Sequence, residues 1–124
     1  MVESRELRRY LIIFSLNPAT PQRLKEFVPE AQNLLHRLSA GSMELAFRST
    51  NADTFGWVIQ CARNAKAICN LLQNPTDVPH GAQPLGTPFL TNADDLLVLE
   101  IGTDLTATQG FSRVHTWFQR HGGG

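Results

Sequence analysis

The stretch Arg9–Leu16, Arg-Tyr-Leu-Ile-Ile-Phe-Ser-Leu, constrains this chain more than any other. Six of its eight residues are apolar or aromatic, and Asn17-Pro18 stops it at once. A short run rich in β-branched and aromatic side chains and closed by a breaker reads as a strand buried on both faces. The rest of the chain then reads as the layer that covers it.

Thr20-Pro21 follows, an N-cap residue before proline at the first helical position. Leu24, Phe27, Val28, Ala31, Leu34, Leu35 and Leu38 recur at helical spacing and form one apolar stripe. Pro29 lies inside that stripe and removes a hydrogen bond, so a kink or two abutting helices are expected before Gly41 ends the element. The period then changes. Met43, Leu45 and Phe47 alternate with Glu44, Ala46 and Arg48 over Ser42–Ser49, and Thr50-Asn51-Ala52-Asp53 is turn chemistry. Phe55, Trp57, Ile59 and Cys61 alternate with Gly56, Val58 and Gln60, which completes a β-hairpin.

Arg63–Gln73 returns to helical spacing through Ala65, Ile68, Leu71 and Leu72. From about 74 to 94 no period survives, and Pro75, Pro79, Gly81, Pro84, Gly86 and Pro88 punctuate a long loop. Loops of that length are either insertions without structure of their own or functional segments. Asp95–Gly102 is a second mostly apolar strand, Thr103–Thr108 is β-branched enough for a short fifth strand, and Gly110–His121 reads as a last helix carrying Phe111, Val114, Trp117 and Phe118.

The order strand, helix, strand, strand, helix, strand, helix predicts an α+β chain. Its architecture is a ferredoxin-like βαββαβ sandwich with an additional C-terminal helix, one domain over residues 1–124. In that fold the first and third strands are central and the fourth lies at an edge. An apolar edge is a liability that proteins cover. Leu97, Leu99 and Ile101 are therefore interface candidates, most simply against a strand from a second copy of the chain.

Composition narrows the classes. Among 124 residues, eleven basic and eleven acidic side chains cancel, so no global field favours nucleic acid or an anionic membrane surface. Cys61 and Cys69 are too few for a disulfide framework or a zinc site, and they point to free thiols in a reducing, cytoplasmic setting. No apolar run reaches the roughly 18 residues of a membrane span, and the charged start Met1–Glu6 has no signal-peptide core. Gly122-Gly123-Gly124 reads as an unstructured tail.

Candidate chemistry is sparse. Asp94 and Asp95 precede the last predicted strand as turn residues and Glu100 interrupts it; together they form the one acidic cluster worth weighing for a site. His36 falls on the polar side of the first helix, and His115 and His121 are six apart, off one helical face. No metal site and no cofactor is expected. Phe55, Trp57, Trp117 and Phe118 have the chemistry of a base-stacking platform, yet sheet aromatics at period two are mostly core, and the missing positive charge counts against nucleic acid. Trp57, Trp117 and His80, in the proline-rich loop, remain candidates for contact with an unknown protein partner.

Taken together, the strand Arg9–Leu16, the run Thr54–Ile59, the segment Asn92–Ile101 and the helix around Trp117 resemble the Cas-two superfamily of ferredoxin-like proteins, closest to its SinR-like group. The resemblance implies a homodimer with strands paired across the interface. For some members it also implies metal-dependent nuclease activity or a structural role in CRISPR adaptation. It places the metal-binding acid at the end of the first strand, where this chain has Ser15. A neutral hydroxyl does not supply the anionic oxygen that a hard cation prefers. The expectation is thus a non-catalytic dimeric scaffold in a prokaryotic, CRISPR or mobile-element setting. The alternative is a divergent metal-dependent nuclease using Asp94, Asp95 or Glu100.

Overall fold

A computed structural model describes residues 7–49, 53–76, 78, 80–86, 88–102, 116–117 and 120. Its elements run β1 (Arg8–Ser15), α1 (Pro21–Ser39), β2 (Glu44–Arg48), β3 (Thr54–Cys61), α2 (Ala65–Gln73) and β4 (Asp95–Ile101). The strands form one antiparallel sheet in the order β2-β3-β1-β4, with β1 paired to β3 on one side and to β4 on the other. This α+β arrangement is compatible with a ferredoxin-like fold. The expected fifth strand lies outside the described residues, as does the expected C-terminal helix apart from Thr116, Trp117 and Arg120. No described helix is long and apolar enough to cross a membrane.

β1 is not buried on both faces. Tyr10, Ile12 and Phe14 are sealed in the core, whereas Leu11, Ile13 and Ser15 between them are only half-buried. Continuous apolarity conceals the period-two pleat, which sends these two sets to opposite sides of the sheet. The helix side is filled by an aromatic cluster. Phe14 meets Phe27 of α1 edge-on at 5.3 Å and Trp57 of β3 at 5.7 Å, and Phe55 stacks on Trp57. Such contacts add about 1 kcal/mol each to the area they bury.

α1 starts where its cap requires: Thr20 is extended and its hydroxyl accepts from the Arg23 amide. Instead of two abutting helices, one helix runs through Pro29. Pro29 is exposed, so the carbonyl it leaves without a helical donor is on the side where water can serve it. Ala40 and Gly41 then turn left-handed to end the helix. Asn64 caps α2 in the same way as Thr20, its side chain accepting from the Ala67 amide.

β2 departs from simple alternation. Leu45 is opposite Trp57 but Phe47 is opposite Gly56, so a bulge at Ala46 shifts the register. One extra residue reverses the face of everything after it. Leu45 packs into the helix-side core, while the Phe47 ring lies over Gly56 on the other face, where a Cβ at Gly56 would come within 2.1 Å of its Cε1.

The Pro/Gly-rich segment is a packed strap where described. Pro75 is fully buried, and Leu85, Phe89 and Leu90 pack against the core. Arg37 of α1 donates to the Leu85 carbonyl, and Leu85 also lines a cleft with Ala67 and Leu71 of α2. Phe89 lies 5.5 Å from Phe27 and 6.0 Å from Phe14. The strap thus touches both helices, and its ring extends the aromatic cluster.

Candidate functional site

The face of the sheet turned away from the helices is where the interface candidates gather. Register assigns its members: Leu11 is opposite Val58 and Leu99, Ile13 is opposite Gly56 and Leu97, and Arg9 is opposite Gln60 and Ile101. Antiparallel partners share a face, so Leu97, Leu99 and Ile101 of β4 join Leu11 and Ile13 in one apolar surface. Two aromatic side chains cover part of it. Phe47 shields Gly56, and Trp117 lies on Val58 beside Leu11, Ala46 and Ile101, with its indole N–H donated to the Ser42 carbonyl. Leu97 and Leu99 stay uncovered at 51% and 36% exposure.

The three interface candidates are therefore together, but on the face of the sheet as much as at its edge. The alternation in β4 explains this: Leu96 and Val98 pack against the helix-side core while Leu97 and Leu99 face outward. Ile13, Leu11 and Phe47 belong to the same surface. The sequence marks β1 and β2 as strands, but only strand register shows which alternate residues share a face with Leu97.

The acidic candidates separate. The Asp94 side chain is 1% exposed and forms a two-pronged ion pair with Arg23 of α1. Its oxygens also accept from the amides of Asn17 and Thr91 and from the Thr91 hydroxyl. Burial pushes this carboxyl upward, but hydrogen bonds from Arg23, Thr91 and Asn17 outweigh it and hold the pKa at about 2. Every lone pair of Asp94 is engaged in tying α1, the β1 exit and the strap together, which leaves none for a substrate or metal. Glu100 is exposed at the edge and loosely paired with Arg8 at 3.9 Å.

Asp95 is placed differently. It is directly opposite Ser15 in register, on the same face, and Thr54 is opposite Ser15 on the other side. The Thr54 hydroxyl is 3.5 Å from that of Ser15, and the Ser49 hydroxyl holds the neighbouring Asp53 carboxyl below its ordinary pKa. A carboxylate thus stands one strand away from Ser15 at the end of β1. Among the described residues, no three His, Cys, Asp or Glu side chains converge as a metal site.

Of the partner-contact candidates, Trp57 is 1% exposed within the helix-side core and Trp117 is 3% exposed on the open face. Neither offers a free ring to a nucleobase. His80 is exposed on the strap, and Cys61 and Cys69 are both free thiols. No protein-family model matches this chain. No curated protein and no solved structure is detectably similar to it either.

Proposed function

We propose that this chain is a ferredoxin-like, non-catalytic interaction protein that works as a homodimer, with the second copy seated on the open face around Leu97 and Leu99. The observation that carries the proposal is the outward exposure of these two leucines beside half-buried Leu11 and Ile13. Large apolar side chains grouped on one face and exposed to water mark an interaction surface more often than a solvated one. A two-fold axis makes one patch serve both partners. The free thiols support a cytoplasmic setting, and the Cas-two resemblance is the reason to place it in a CRISPR or mobile-element context. Sedimentation equilibrium on the full chain tests the proposal. The expected mass is twice 13.8 kDa, and a monomer at high micromolar concentration overturns it.

One observation favours the alternative, a divergent metal-dependent nuclease: Asp95 stands beside Ser15 on the same face. Two such carboxylates, one from each copy, would supply the anionic oxygens that Ser15 does not. Labelled RNA and DNA incubated with magnesium or manganese decide between the two. Cleavage abolished by Asp95→Ala establishes the nuclease; no cleavage, or cleavage that Asp95→Ala leaves unchanged, removes it.

A further inference from the structure

A second surface, on the opposite side of the sheet and independent of any dimer, has the composition of a small-molecule site. Between α2 and the strap lies a cleft of about 450 Å³. That falls within the range of ligand pockets, which are commonly apolar with a few placed polar groups. Ala67, Asn70 and Leu71 of α2 line it together with Gln83 and Leu85 of the strap. Arg63 is the charged residue among its described lining.

The state of Arg63 gives the cleft its sign. Its carbonyl accepts the Tyr10 hydroxyl at 2.6 Å, which fixes the backbone at the start of α2. Its guanidinium makes no hydrogen bond or ion pair among the described residues. The first turn of α2 carries no acidic residue, so the positive end of the helix adds to the guanidinium instead of being neutralised. Apolar walls with one cationic end complement a particular chemistry.

We propose that this cleft binds a small monocarboxylate with an apolar body, its carboxylate held by Arg63 and its chain lying between Leu71 and Leu85. The planar guanidinium matches a carboxylate with two parallel hydrogen bonds. The Asn70 and Gln83 amides offer further donors, and the apolar chain takes the place of water on Ala67, Leu71 and Leu85. Inorganic phosphate would satisfy Arg63 but leave those walls wet, and an uncharged alcohol would do the reverse.

Titration of the full chain with octanoate, followed by amide resonances in two-dimensional NMR, tests this. Saturable shifts are expected at Ala67, Asn70, Leu71 and Leu85. Octanol, which lacks the charge-assisted contact, and inorganic phosphate, which lacks the apolar chain, should each bind about tenfold more weakly or worse. Arg63→Gln should weaken octanoate by a similar factor while its melting temperature stays put, because the side chain is exposed. Leu71→Asn should weaken octanoate and leave phosphate unchanged. Octanol binding as tightly as octanoate, full binding by Arg63→Gln, or shifts confined to Leu97 and Leu99 would each overturn the proposal, as would no saturable shift at all.

Discussion

Arg23, in the first turn of α1, and Asp94, the residue before β4, clasp each other across 71 positions of sequence. The Asp94 side chain is nearly inaccessible and that of Arg23 is 17% exposed. Arg23 also donates to the Phe89 carbonyl at 3.3 Å, so one guanidinium holds both the strap and the start of the edge strand. Removing one partner of such a pair leaves the other charged and poorly compensated. Asp94→Asn is expected to lower unfolding free energy by about 3 kcal/mol in urea titrations at pH 7.

The same pair sets an acid dependence. The folded pKa of Asp94, about 2, lies below the unfolded value near 3.9. Its stabilisation is therefore fully present above about pH 5 and is lost as pH falls through about 2. The stability gap between the native chain and Asp94→Asn should shrink by about 2 kcal/mol between pH 5 and pH 2. A gap that stays constant across this window would show that the carboxylate's charge contributes nothing.

Gly56 and Phe47 are bound by shape. Any Cβ at position 56 collides with the Phe47 ring, so Gly56→Ala forces that ring off the sheet. The expected loss is about 2 kcal/mol, typical of overpacking. Combining Gly56→Ala with Phe47→Ala should cost less than the sum of the two single changes, because the clash needs both. Thermal unfolding of the four proteins in the cycle measures this coupling.

Trp117 covers Val58 on the open face and donates to the Ser42 carbonyl. Trp117→Ala uncovers that apolar site and removes the donor. A loss of about 3 kcal/mol is expected by denaturant titration, near the lower end for truncating a buried tryptophan. Trp117→Phe should recover part of it, since the ring keeps contact but not the hydrogen bond.

Leu97 and Leu99 separate assembly from folding. Both side chains point to water in the single chain, so Leu97→Asp with Leu99→Asp should leave the monomer's unfolding within about 1 kcal/mol of the native value. The same pair of changes should abolish the proposed dimer in light scattering. A double variant that still dimerises would move the interface elsewhere.

Local signals carried the elements a long way. The Thr20-Pro21 start, the apolar stripe from Leu24 to Leu38 and the strand runs at Arg9 and Asp95 are written within a few residues of sequence, because caps, helical period and breakers act locally. α1 and β4 fall where those signals put them. The apolar outer face of β4 was also legible as a set: Leu97, Leu99 and Ile101 are apolar where an edge strand should not be.

Tertiary structure decided which way those residues face and which charges meet. The bulge at Ala46 turns Phe47 away from the core that its alternation promised, since register is set by pairing with β3 and not by β2 alone. Asp94 and Asp95 are adjacent in sequence, yet one is consumed by Arg23 and the other faces Ser15 across the sheet. The strap shows the same division. Its prolines and glycines deny it any period, but Pro75, Leu85 and Phe89 gain burial only once α1 and α2 stand ready to receive them. Apolar area pays for order wherever two surfaces meet, and that meeting is a property of the folded chain.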